Sequence, residues 1–183
     1  MFPRILNGLL AICLLSFLWS CSIDETFDPD DHATLSLKVS GSLGAYDNIF
    51  LEFSEVHLKV IDDESDPKCW RKISSFKSGI YDLNELVSGR EADLLNSASV
   101  PSGQVFSIKL VLGENNYVIH DGERIELFTN SVQLEDLNMR LDKNFNRGRD
   151  YIMQVDFNAN ESIFEGPLDG QLILQPEVSF SIE

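Results

Sequence analysis

The chain has 183 residues, 14 of them Lys or Arg and 30 Asp or Glu, a formal charge of −16. Neutralising phosphates takes clusters of Lys and Arg. The sequence has no such run, which argues against nucleic acid as a partner and against electrostatic docking on anionic lipid. Hydrophobic residues make up 43% of the chain, enough for one domain with a substantial core.

Arg4 is the only charged residue before Asp24, and an apolar stretch runs from Ile5 to Trp19, interrupted by Asn7, Gly8 and Ser16. Crossing a hydrocarbon core takes about 20 mostly apolar helical residues. This run is shorter and acids follow it, so residues 1–20 read as a secretory signal peptide. Its end, "LWSC" (Leu18, Trp19, Ser20, Cys21), resembles the lipobox of bacterial lipoproteins. Leu18 and Ser20 fit that pattern, and Trp19 is bulkier than the residue usually found there. The resemblance implies cleavage before Cys21 and a diacylglycerol on its thiol, which would be the contact with a membrane. The other reading is a secreted protein with a chance cysteine at the cleavage site. Cleavage leaves 163 residues with 13 Lys plus Arg against 30 Asp plus Glu, a formal −17. Of Cys13, Cys21 and Cys69, only Cys69 then remains a thiol, so the core has to hold without an internal disulfide.

"SIDETFDPDDHAT" (Ser22 to Thr34) is rich in Asp, Glu and Thr and contains Pro29, so residues 21–32 read as a flexible acidic tether. Asp24 and Glu25 resemble the acidic export signals that follow the lipidated cysteine in surface lipoproteins of Bacteroidota-type bacteria. That resemblance implies an outer-membrane protein exposed at the cell surface; a periplasm-facing anchor is the alternative.

From Ala33 onward apolar residues mostly recur with period two, the pattern of half-buried strands. "TLSLKVS" puts Leu35, Leu37 and Val39 on one face, and "GSLGAYD" follows as a turn. "NIFLEFSEVHLKVI" carries Ile49, Leu51 and Phe53 at odd positions and Val56, Leu58 and Val60 at even ones. That phase change predicts a β-bulge near Ser54–Glu55. "DDESDPK" reads as a polar loop and "CWRKISSF" as a strand. In "YDLNELVSG", Asp82 and Glu85 have capping-box spacing and Gly89 is a plausible C-cap, which predicts one short helix. "READLLNSASVPSG" reads as irregular, with Leu94 and Leu95 tucked inward and Pro101–Gly103 turning the chain. "QVFSIKLVLG" predicts a strand with Phe106, Ile108, Leu110 and Leu112 inward. "NYVIHDGERIELF" predicts a hairpin about Asp121–Gly122, with Val118 opposite Ile125 and His120 opposite Glu123. "VQLEDLNMRL" reads as one or two strands, and "YIMQVDFN" as one with Tyr151, Met153, Val155 and Phe157 inward. "QLILQPEVSFSIE" closes the chain as a strand, with Pro176 allowed only at an edge or a break. These elements predict an all-β, antiparallel β-sandwich with one short helix, a single domain over residues 33–183.

Two long stretches, "IYDLNELVSGREADLLNSASVPSGQVFSIKLVL" and "YIMQVDFNANESIFEGPLDGQLILQPEV", resemble the domain-of-unknown-function 4382 family. The features that carry the resemblance are Asp82–Leu83, the Pro101–Gly103 turn and the Ser107–Leu110 strand. Asp156, Phe157, Ala159 and Ser162, and Pro176 near the end, complete it. The family implies a transthyretin-like β-sandwich on exported, often lipid-anchored proteins. It implies no established activity, so no catalytic residue is carried over.

There is no G-x-S-x-G, H-E-x-x-H, paired C-x-x-C or phosphate-binding glycine loop, and no cofactor motif. His32, His57 and His120 are scattered, whereas zinc needs converging ligands. His32 lies in the tether, His57 shares an outward face with Lys59, and His120 reads as a surface ion-pair partner. Cys69, beside Trp70 in a strand, reads as a small buried hydrophobe. Asp62, Glu64 and Asp66 alternate as in a calcium loop, but Pro67 replaces the glycine at the sharp turn and the distant Glu is missing. A solvated acidic loop is the simpler reading. "DFNANES" reads as a corner between strands, or as part of a ligand-facing rim. A glycan would stack on flat rings, with Asp, Asn or Arg fixing its hydroxyls. Trp70, Tyr46, Tyr81 and Tyr117 are the candidate rings, although aromatics in strands are more often core. The sequence thus points away from an enzyme. It points to a lipid-anchored envelope protein that binds a glycan or a protein, or to a structural or accessory subunit of an envelope complex.

Overall fold

The computed structural model describes residues 31–42, 44–129 and 137–183. The expected signal peptide, Cys21, tether residues 22–30 and residues 132–136 of the "VQLEDLNMRL" segment lie outside them.

The strands are β1 (His32–Gly41), β2 (Asn48–Lys59), β3 (Trp70–Lys72), β4 (Gly79–Asp82), β5 (Ala92–Pro101), β6 (Gly103–Leu112) and β7 (Tyr117–His120). After them come β8 (Glu123–Phe128), β9 (Asn138–Phe145), β10 (Asp150–Phe157), β11 (Ile163–Glu165), β12 (Leu172–Leu174) and β13 (Val178–Ile182). A 3-10 turn spans Leu83–Glu85, and a one-turn helix, α1, spans Ala159–Ser162. The strands form the predicted β-sandwich. One sheet has four strands in the order β13-β10-β1-β5, and the other has nine. In the larger sheet the path runs β11-β12-β8-β7-β2-β6-β9, with β3 and β4 also paired to β2. Phe50 faces both Tyr117 and Asp82, and Leu58 faces both Ile108 and Arg71. β6 and β7 therefore lie end to end along one flank of β2, and β3 and β4 along the other. Most pairs are antiparallel; β1–β10 and β8–β12 are parallel.

The core follows from the alternation. Leu35, Leu37 and Val39 of β1 and Met153, Val155 and Phe157 of β10 are buried in one layer. Ile49, Leu51, Phe53, Val56 and Leu58 of β2 are buried in the other. The register of β2 against β6 shifts between Phe53 and Glu55, where the phase change predicts a bulge. The hairpin pairs as predicted, Val118 with Ile125 and His120 with Glu123. Asp121 and Gly122 have φ values of 50° and 78°, the left-handed pair that a primed two-residue turn requires. Pro176 falls at a break, between β12 in one sheet and β13 in the other.

Four expectations need correction. The segment read as irregular is the ten-residue strand β5. Its register against β1 shifts on both sides of Leu37, and Ser97 takes φ 47°, so Leu94 and Leu95 are both buried and period two disappears from the sequence. In β6 it is Val105, not Phe106, that is buried next to Ser107; the register against β9 shifts between these two residues. The expected helix is only the 3-10 turn. Asp82 does cap it, accepting from the Asn84 amide at 3.0 Å, but Leu86 ends it, and Gly89 (φ 84°) sits in a later turn. His32, read as tether, opens β1, and its carbonyl accepts from the Gly148 amide at 2.7 Å.

Two corners join the layers. At the first, the Asp82 carboxylate accepts from Asn48 Nδ2 (2.6 Å), and Gly41 N–H donates to Leu86 O (2.8 Å). Leu83 is fully buried against Gly41, where an added Cβ would lie 2.6 Å from the Leu83 carbonyl oxygen. At the second, buried Ser162 donates to Asn158 O (2.6 Å) and accepts from Glu177 N–H (2.8 Å).

Gly41→Ala is expected to lower stability by about 1–3 kcal/mol through overpacking against backbone. Ser162→Ala strands a backbone donor and is expected to cost about 1–3 kcal/mol. Urea unfolding checks both, and each midpoint should fall with little change in slope.

Candidate functional site

The connection between β1 and β2 carries Tyr46 to one end of the larger sheet. The backbone there is held by Asn84, whose Nδ2 donates to Tyr46 O (2.9 Å) and Asp47 O (2.8 Å). Asp47 N–H donates to Ile119 O (2.9 Å), which ties the same loop to β7. The Tyr46 ring meets the His120 imidazole edge-to-face, with centroids 5.5 Å apart.

Facing these rings is the β11–β12 hairpin. Ile163 pairs with Leu174 and Glu165 with Leu172. The turn closes through Gly166 N–H to Gln171 O (2.7 Å) and Gln171 N–H to Leu168 O (3.0 Å). Between the hairpin, Tyr46, His120 and Ile125 lies a cleft of about 520 Å³. Its wall is part apolar (Tyr46, Ile125, Pro167, Leu168, Leu172) and part polar (Glu165, Asp169, Gln171). Among the described residues no Lys or Arg lines it. Burial, and after it the Glu165 carboxylate, raises the Tyr46 phenol above its ordinary pKa. A ring wall with a few carboxylate and amide groups suits a polyhydroxylated ligand.

The four candidate rings do not converge. Tyr46 lines this cleft. Tyr117 stacks on Phe50 at 4.6 Å, and the Arg124 guanidinium lies 3.7 Å from its ring centre. Tyr81 packs against Phe53 (5.8 Å) and donates its hydroxyl to Lys77 O (3.0 Å). Trp70 stands opposite Lys59 across β3–β2, with Lys109 Nζ 5.7 Å from its ring centre. Tyr117 and Trp70 thus sit near opposite ends of β2 on the outward face, and Tyr81 belongs to the edge of the core.

The acidic loop likewise fails to converge on an ion. Asp62 (3.0 Å) and Glu64 (2.7 Å) both hold the Lys59 ammonium, while Asp66 accepts from the Lys68 amide (2.8 Å). Hydrogen bonds from Lys59, to Glu64 first and then Asp62, raise that lysine's pKa and keep it charged. Among the described residues no three His, Cys, Asp or Glu side chains gather closely enough for a metal ion. His57 reaches Glu55 (2.7 Å), to which Lys72 is also bound, and His120 is 3.9 Å from Asp121. Cys69 is a buried free thiol.

"DFNANES" forms the corner at which the chain leaves β10 and enters β11 through α1. A second concavity, of about 380 Å³, opens beside it, lined by Ser40, Ser42, Asp156, Asn158, Asn160 and Glu177 among others. Much of that polar set is engaged in the corner itself. Ser40 donates to Asp156, and Ser42 Oγ accepts from Ala159 N–H (3.0 Å).

Glu165, Asp169 and Gln171 escaped the sequence reading. The turn signal that marks them, Gly166-Pro167 followed by Asp169-Gly170, was available.

Neither a curated protein nor a solved structure matches the chain. A family model described as "Domain of unknown function (DUF4382)" matches residues 32–176. That span opens with the first residue of β1 and ends at Pro176, so it takes in the cleft and every strand except β13, and stops one residue short of Glu177 at the second corner. The chain belongs to the DUF4382 family.

Proposed function

We propose that this chain is a lipid-anchored protein of the outer membrane, exposed at the cell surface, whose sandwich binds a glycan in the Tyr46–His120 cleft. The observation that carries the binding reading is the cleft: an aromatic wall held by backbone hydrogen bonds, opposite a hairpin rim of carboxylates and an amide. "LWSC" and the acids after Cys21 support the anchor and its location. The role is binding without turnover.

An accessory role in an envelope complex is the second reading, and one surface favours it. Phe128, Ile173 and Phe164 stand in register across β8, β12 and β11. Phe128 is 56% and Phe164 48% exposed, and Leu168 in the neighbouring turn is 68% exposed. An exposed apolar row at a sheet edge is a common form of protein contact.

A panel of immobilised glycans probed with the domain from Asp31 onward separates these readings. Retention of wild type, lost at least tenfold (about 1.4 kcal/mol) in Tyr46→Ala but not in Tyr117→Ala, is the expected result. Retention unaffected by Tyr46→Ala would move the site elsewhere. Failure to bind any glycan, with crosslinking to an envelope protein that Phe128→Ser and Phe164→Ser abolish, would favour the accessory role. Chromatography of the same incubations should show no new reducing ends.

The anchor is tested in the full chain. Cys21→Ser is expected to move the protein from the membrane to the soluble fraction and to abolish labelling by a fatty-acid probe. Membrane retention of the variant would refute lipidation at Cys21.

A further inference from the structure

The cleft's charge says more than its shape. Its two carboxylates, Glu165 and Asp169, are exposed at its rim, and among the described residues neither has an ion-pair partner. Some carboxylates elsewhere do have basic partners. Glu91 is held by Lys38, Glu55 by Lys72, Asp62 and Glu64 by Lys59, Glu126 by Arg124 and Asp142 by Arg140. Those basic side chains lie elsewhere, and among the described residues lining the cleft two carboxylates, Glu165 and Asp169, stand against one imidazole, His120. Glu165 is also near enough to Tyr46 to help raise its phenol. A cation entering here meets carboxylates on one side and the face or edge of an aromatic ring on the other. Carboxylates attract positive charge, and so does the face, though not the edge, of an aromatic ring.

We infer that the cleft selects sugars bearing a free amine, that is, protonated amino-sugar units, over neutral, N-acetylated or acidic ones. This rests on the reading of the cleft as a glycan site and adds the class of glycan. An ammonium group would approach Glu165 and Asp169 while the sugar ring lies against Tyr46 and Leu168. A uronate would bring a third carboxylate to two that have no counter-ion. An N-acetyl group removes the charge that the rim attracts.

The chain as a whole is acidic, so the test has to separate the cleft from the net charge. Four trisaccharides are compared by calorimetry at low and high salt: one of glucosamine, one of N-acetylglucosamine, one of glucose and one of galacturonic acid. The expected result is a Kd for the glucosamine trisaccharide at least tenfold below the others at low salt, with the gap shrinking as salt screens it. Glu165→Gln with Asp169→Asn should close the gap while neutral binding persists. Glu114→Gln with Asp93→Asn, which removes the same charge from exposed positions outside the cleft, should leave it open. All four positions are exposed, and unchanged melting temperatures would show that the variants fold. Equal affinity for the glucosamine and glucose trisaccharides would overturn the inference and leave the glycan site standing. So would a gap that both double variants close alike, which would assign it to net charge. Binding of none of the four would overturn both.

Discussion

The structure turns on how the chain gets from one layer of the sandwich to the other, and the Asp82–Leu83–Asn84 corner is where that is decided. Three consecutive side chains do three different things. Asp82 accepts from the side chain of Asn48, from the Ile49 amide and from the Asn84 amide, fixing the start of β2 and capping the turn. Leu83 is fully buried against Gly41 at the end of β1. Asn84 holds the backbone at Tyr46 and Asp47. β1 lies in one sheet and β2 in the other, so this corner sets their spacing. Because it also positions Tyr46, it couples the packing of the core to the geometry of the cleft. Asn84 Oδ1 is buried and has no hydrogen-bond partner among the described residues. Its amide is aimed at the two carbonyls at the expense of its own oxygen, which marks how far the local arrangement is bent toward holding that loop.

The features that carry the resemblance to DUF4382 make physical sense in this light. Asp82–Leu83 forms one corner, and Pro101–Gly103 carries the chain from β5 in the smaller sheet to β6 in the larger. Phe157, Ala159 and Ser162 build the return at α1. Pro176 breaks the last passage, between β12 and β13. Ser107–Leu110, which lies within β6, is the exception. A strand interior tolerates any residues of the right alternation, whereas a crossing needs particular donors, acceptors and shapes. The motif positions are therefore mostly a record of topology. Glu165 and Asp169 lie within the second of the resembling stretches, and they and Tyr46 fall inside the residues that the family model matches.

Most of the architecture was legible because period two is a direct consequence of a pleated strand with one buried face. The bulge in β2 was legible because apolar residues themselves changed phase there. The shift in β6 was not, because Val105 and Phe106 are both apolar and either could face inward. β5 was hidden by two register shifts and a left-handed Ser97 within one strand. The cleft was harder still. Tyr46 could be picked out as an aromatic, but its distinction from Trp70, Tyr81 and Tyr117 depends on what packs against each ring, which is set by residues far away in sequence. Glu165 and Asp169 had no contrast at all among 30 acids.

That abundance of acids bears on what the cleft is. With 14 Lys and Arg against 30 Asp and Glu, many carboxylates must go without partners, and bare acids on a surface are by themselves unremarkable. Position distinguishes Glu165 and Asp169. An acid on an open strand face is surrounded by water that screens its field. An acid at the rim of a concave site, beside an aromatic ring and apolar side chains, acts through a medium with less water in it, so the same charge is felt more strongly by whatever enters. Ser40 with Asp156 and Thr34 with Asp150, on the outward face of the smaller sheet, satisfy their carboxylates locally with hydroxyls. The cleft acids have no such partner among the described residues. Under the proposed binding role, the two carboxylates at the rim favour a cationic ligand over an anionic one, with His120 the one basic side chain among the described residues lining the site.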